Sequence, residues 1–147
     1  MKKLFILFIG LLSFNSLSAQ KYTKTYIKDA NKVGLEWWAQ VNSGQYEESY
    51  NKLSSPLKNR FTLASWLSQM SILMDEFGNI EKRTTKNTYF KSELEDLEDG
   101  FYVIIEYDVK YSKTKNHTES LLVKQNDQFV WQILDFNYSF QNLETEE

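Results

Sequence analysis

The chain changes its hydrophobic period part-way along. Ala30, Val33, Gly34, Trp37, Trp38 and Val41 recur at intervals of three and four, which puts one apolar stripe on a helix. Asp29 is the expected N-cap of that helix and Gly44 its C-terminal stop. Gly34 lies on the stripe, where glycine costs about 1 kcal/mol of helix propensity relative to alanine. Close approach of another element is expected there. A short second helix over 45–53 turns Tyr46, Tyr50 and Leu53 inward, and Pro56 marks its break. A third over 64–76 presents Trp66, Leu67, Met70, Leu73, Met74 and Phe77, with Thr62 as its cap and Gly78 at its end.

Beyond the turn signal Asp99-Gly100 the period becomes two. Phe101, Val103, Ile105, Tyr107, Val109 and Tyr111 alternate with more polar neighbours, the pattern of a half-buried strand. Further strands are expected over 120–124 and 129–138, joined by the hairpin Gln125-Asn126-Asp127-Gln128. A more polar strand over 80–89 fits the edge of the sheet. Helices followed by an antiparallel meander predict an α+β domain, with the N-terminal helices packed on one face of a curved antiparallel sheet.

The ends read differently. Lys2 and Lys3 precede the apolar run Leu4 to Leu12, and Ser16-Leu17-Ser18-Ala19 supplies small residues, so 1–19 is expected to be a secretory signal peptide cut after Ala19. Leu17 is larger than ideal, which leaves a cut after Ser18 as the alternative. The apolar run is far shorter than the roughly 20 residues of a membrane-spanning helix, and no cysteine follows it to carry a lipid. The expected organisation is therefore a leader at 1–19, a loose polar stretch at 20–28, one α+β domain at 29–140 and an acidic tail at 141–147. The expected address is periplasmic or extracellular, with no membrane insertion after cleavage.

Composition narrows the chemistry. The chain of 147 residues has no cysteine, which removes disulfides, thiol nucleophiles and cysteine metal sites together. An exported domain so built must hold together by packing, and its four Trp, nine Tyr and ten Phe suit that demand. Losing Lys2 and Lys3 with the leader takes the net charge from −3 to −5, which argues against nucleic acid or anionic lipid as partners.

A family resemblance emerges from the order and spacing of short pieces. These are Trp37, Val41-Asn42-Ser43-Gly44-Gln45-Tyr46, Tyr50, Trp66, Gly78 with Arg83, and Asp99-Gly100-Phe101-Tyr102. They continue with Tyr107, Glu119-Ser120-Leu121 and Trp131-Gln132-Ile133. Together they resemble the exported bacterial domain-of-unknown-function family numbered 4019, over about residues 30 to 138. The element order resembles the nuclear transport factor 2-like (cystatin-like) cone. The resemblance implies a fold and an exported address, without a reaction. Two positions depart from the family pattern: Met74 stands where the family has arginine, and Asp135-Phe136 where it has Gly-Tyr.

The leading polar constellation is Arg83, Tyr107 and Glu119, which the meander can bring together. A carboxylate beside a guanidinium can bind a polar ligand or tune a base, but a cross-strand ion pair is the commoner structural use. Trp37, Trp38, Trp66 and Trp131 can line an apolar ligand pocket or fill an ordinary core, and Trp38, next to Trp37, is expected to be half exposed. The candidate ligand-binding set is thus Trp38, Trp66, Arg83, Tyr107 and Glu119, with no catalytic residue assigned. His117 sits in the polar run Lys113 to Thr118, read as a surface turn without orienting partners. Phosphate loops, paired-histidine motifs and calcium loops are absent, the acidic run Glu93 to Asp99 included, so neither a cofactor nor a metal is expected. Asn116-His117-Thr118 and Asn137-Tyr138-Ser139 match a glycosylation pattern that a bacterial-type leader discounts.

Three readings follow. The first is an exported, non-catalytic domain binding a small apolar ligand or an envelope protein. The second is a structural homodimer formed through the even-numbered face of the long strand, at Tyr102 and Ile104. The third is a small enzyme with Glu119 or Asp135 as base in the cone. A buried carboxylate facing a cavity without a basic partner would favour the enzyme.

Overall fold

The structure is a computed structural model that describes residues 2–143, with side chains from residue 20 onward. The side chains of the expected leader at 1–19, and residues 144–147 of the expected tail, lie outside the described residues. The chain forms α1 (Lys2–Asn42), α2 (Tyr46–Asn51), α3 (Ser55–Lys58) and α4 (Leu63–Phe77). The strands β1 (Ile80–Lys91), β2 (Tyr102–Tyr111), β3 (Thr114–Gln125) and β4 (Trp131–Asn142) follow. The four strands make an antiparallel meander in the order β1-β2-β3-β4, and the helices pack against the curved, open sheet. The domain is α+β, as its periods predict.

Helix α1 does not start at Asp29, which lies inside it. The expected loose stretch 20–28 is helical because the apolar stripe extends back one turn, to Tyr26. The Tyr26 ring stacks on Phe101 and Phe90 at 5.0 and 5.7 Å and meets Trp131 edge-on, which anchors a segment whose other positions are mostly polar. Ala30, Trp37, Trp38 and Val41 are buried behind it. Gly34 makes the close approach expected of it. A Cβ there would come within 2.8 Å of the Tyr107 hydroxyl and 3.1 Å of the methyl carbons of Ile105 and Leu121.

Pro56 does more than end the second helix. It lies in the first turn of α3, where its missing N–H costs nothing, and the hydroxyl of the N-cap Ser54 accepts from the Leu57 N–H. Thr62 caps α4 as expected, accepting from Ser65 N–H at 3.1 Å. The buried face of α4 is Trp66, Met70, Leu73 and Phe77. Leu67, expected inward, is exposed, because that stripe turns it aside.

The larger revision concerns the run Lys113 to Thr118. The turn is confined to residues 112 and 113, and β3 begins at Thr114. Asn116 takes φ 51°, and the β3–β4 register shifts between Lys115 and Thr118. This bulge re-aims the strand so that His117, opposite Val109 on β2, is buried at 2% exposure. Strand β4 likewise continues past Tyr138 to Asn142 and takes in residues 141 and 142 of the expected tail.

The outer face of the sheet is partly covered by its own chain. The 92–101 connection folds back over the start of β2, where the Tyr102 hydroxyl donates to the Glu98 carbonyl at 2.6 Å. Tyr102 is fully buried, so it is not part of the free dimer face expected from its even number.

Candidate functional site

The Arg83–Glu119 pair forms, and it lies at the helix-covered end of the sheet where β2 finishes. Register places Arg83 opposite Val109, and Glu119 opposite Tyr107. The guanidinium reaches diagonally across β2. Its Nε and Nη2 donate to Glu119 Oε2 at 2.9 and 2.7 Å. Nη2 also donates to the Tyr111 hydroxyl at 2.9 Å, and Nη1 to Asn42 Oδ1 at 2.8 Å. The Trp38 ring closes one side, with the Arg83 guanidinium carbon 4.6 Å from its centroid.

Glu119 is satisfied at both oxygens. The Tyr111 hydroxyl donates to Oε1 at 2.9 Å and itself accepts from Asn42 Nδ2 at 3.0 Å. His117 Nε2 lies 3.3 Å from the same Oε1, off line for a hydrogen bond, while Nδ1 is 3.1 Å from the Thr114 hydroxyl. The imidazole is clamped by rings, stacked on Phe140 and edge-on to Phe77. Burial pushes the phenols of Tyr107 and Tyr111 well above their ordinary range. The Glu119 charge reinforces that shift and the Arg83 charge opposes it.

The candidate residues therefore divide. Arg83, Glu119 and Trp38 meet, and Trp38 is buried, not half exposed, because the arginine stacks on it. Tyr107 faces the cluster, with the guanidinium 5.9 Å from its ring, but its hydroxyl has no hydrogen-bond partner. Trp66 belongs elsewhere, in a layer with Trp37, Phe61 and Phe136, its indole N–H donating to Ser49 Oγ and the Tyr46 carbonyl. Tyr111 and Asn42 complete the network without having been singled out by sequence, and His117, expected in a surface turn, is instead buried beside it. Asn42 did carry a signal, since it follows Gly34 and Trp38 at steps of four along the buried stripe.

This arrangement leaves little room for base catalysis. The Glu119 side chain is wholly inaccessible and holds a basic partner, so nothing can reach it to give up a proton. Asp135, the other carboxylate considered, is 40% exposed and pairs with Arg60 at 3.3 Å. Among the described residues no group of three or more His, Asp or Glu side chains is placed to hold a metal ion.

The open space lies on the other face of the sheet. A groove of about 370 Å³ is bordered by Lys86, Glu106, Thr118, Ser120, Asn137 and Ser139. Where it touches Glu119 it meets main chain, because that side chain has no exposure. A second groove of about 380 Å³, sharing Ser120 and Asn137 with the first, is walled by Leu94, Leu97, Ile104 and Leu122. The two make one cleft with a polar half and an apolar half.

Residues 33–136 match the model of a protein family described as a protein of unknown function, DUF4019. That span is most of the chain, and the protein belongs to this family. No curated protein and no solved structure matches it.

Proposed function

We propose that this is an exported, non-catalytic binding domain of the nuclear transport factor 2-like class whose recognition surface is the outer face of its sheet. The observation that carries the reading is the division of labour between the two faces. Inside, the charged groups are used up on one another. Outside, hydroxyls and an amide border a groove with Lys86 and Glu106. Lys86 pairs with Asp108 at the exposed surface, Glu106 accepts from Asn87, and the groove continues into an apolar wall. Such a cleft suits an occupant with a polar and an apolar part, and an extended segment of an envelope protein has both. Of the two readings of the tryptophans, an interior apolar pocket has less support than an ordinary core, because Trp37, Trp38 and Trp66 are fully packed.

Export rests on Lys2, Lys3, the short apolar run and the small residues Ser16 to Ala19 that follow it. Cleavage after Ala19 would cut ahead of Tyr26, where the described packing of α1 on the sheet begins.

Ser120 lies at the junction of the two grooves. Ser120→Trp fills that junction from an outward-facing position. Cross-linking in the native cell, followed by mass analysis, should recover a partner or ligand with the unaltered protein and lose it with this variant. Recovery of the same species from both would defeat the outer-face reading.

A further inference from the structure

The two edges of the sheet are built differently. Strand β1 carries Glu81, Lys82, Lys86 and Lys91 along its length, and edge lysines of this kind discourage pairing with another strand. Strand β4 has no charged residue from Phe136 to Asn142. On its free side Ile133 bonds main chain to main chain with Lys52 and Ser54, at 3.0 and 2.8 Å. Among the described residues, no comparable main-chain partner serves that side from 135 to 142. Asn137 and Ser139 are exposed, and Tyr138 is 43% exposed.

We propose that β4 pairs antiparallel with β4 of a second copy of this chain about a two-fold axis at Tyr138, joining the two sheets into one. The sequence around that point is chemically palindromic: Phe136-Asn137-Tyr138-Ser139-Phe140. Antiparallel pairing centred on Tyr138 sets Phe136 opposite the partner's Phe140, and Asn137 opposite the partner's Ser139. The two Tyr138 residues face each other, so every opposed pair is apolar with apolar or polar with polar. A two-fold interface requires such self-complementarity. An uncharged edge also meets its own copy without repulsion, which β1 could not do. The surface lies apart from Tyr102 and Ile104, and it would bring the two outer-face clefts together at Asn137 and Ser139.

The test uses protein purified from its own cell, followed by sedimentation equilibrium over a range of concentrations. A two-chain mass is expected. Ser139→Lys sets two lysines diagonally across the axis and should weaken the dimer roughly tenfold. Asn137→Glu combined with Ser139→Lys sets opposite charges face to face and should restore it, which also separates a lost interface from a lost fold. Because the chain is free of cysteine, Tyr138→Cys gives a single thiol per chain. Directly opposed antiparallel residues have Cα atoms about 4.5–5.5 Å apart, within disulfide reach. Mild oxidation should therefore cross-link this variant, and should leave Thr84→Cys on β1 uncross-linked. A one-chain mass at every concentration overturns the proposal. So does a two-chain mass that Ser139→Lys leaves unchanged, or Tyr138→Cys chains that do not cross-link.

Discussion

The layer between α1 and the sheet has two ends, and they are held by different physics. At one end Tyr26, Phe90, Phe101 and Trp131 meet as rings at centroid distances of 5.0 to 6.0 Å, with no charge among them. At the other, Arg83, Glu119, Tyr111 and Asn42 interlock through short, directional bonds behind Trp38 and Phe77, with the His117 ring packed beside them. Ring packing is broad and forgiving, since an aliphatic side chain of similar volume recovers most of the burial. A buried ion pair is unforgiving, because removing one member strands the other without water. The polar end thus fixes which strand register and which end of α1 go together, while the aromatic end supplies apolar burial.

The largest effect should come from breaking the pair. Arg83→Ala leaves the Glu119 carboxylate buried with only Tyr111 and His117 beside it, and should cost about 3–5 kcal/mol in urea unfolding. Replacing both members, Arg83→Met with Glu119→Leu, should recover a large part of that loss, because no charge is then left unpaired. If the single and double variants are equally unstable, packing and not pairing governs this end. Tyr111→Phe comes next. It removes the donor to Glu119 and an acceptor for Arg83 and Asn42, and should cost about 1.5–3 kcal/mol, the range for hydrogen bonds to charged groups. At the aromatic end, Phe90→Leu keeps the apolar volume opposite Tyr26 and should cost less than about 1.5 kcal/mol in the same assay. A loss there as large as that of Arg83→Ala would erase the distinction between the two ends.

The order of the longer helices and of the strands was legible because period and spacing determine it. The aromatic end was not, since Tyr26 fell in the stretch expected to be loose and Phe90 just past the expected strand. The polar end was half legible. Arg83 and Glu119 announced themselves as opposite charges that the meander can bring together, although β2 lies between their strands. The choice of tyrosine depended on register, however, and Tyr107 and Tyr111 share one face of β2 four residues apart. Tyr107 lies directly opposite Glu119, yet the diagonal reach of Arg83 carries the network to Tyr111. His117 was hidden by its polar neighbours, since a strand that needs a left-handed Asn116 and a bulge reads locally as a turn. The length of α1 was hidden because a single tyrosine, Tyr26, carries the described ring contacts of the polar stretch 20–28.

Tyr107 sharpens the comparison from within the polar end itself. It sits on the same strand and face as Tyr111, four residues away, yet its hydroxyl has no partner and presses on the gap left by Gly34. Tyr107→Phe removes a buried, unpaired oxygen, so its stability near neutral pH should stay within about 1 kcal/mol of the unaltered protein or rise slightly. The alkaline limb separates the two proteins more clearly. Burial raises the Tyr107 phenol above its ordinary value of 10.0, so the folded chain holds that proton after the unfolded chain has released it. Stability is therefore intact below about pH 10 and falls as pH rises beyond it, by up to roughly 1.4 kcal/mol per pH unit for each such phenol. Tyr111 contributes the same sign. Urea midpoints measured from pH 9 to 11 should fall less steeply for Tyr107→Phe than for the unaltered protein. Parallel curves would mean that the Tyr107 hydroxyl reaches water in solution, and its packing against Gly34 would then be looser than the lack of room for a Cβ there implies.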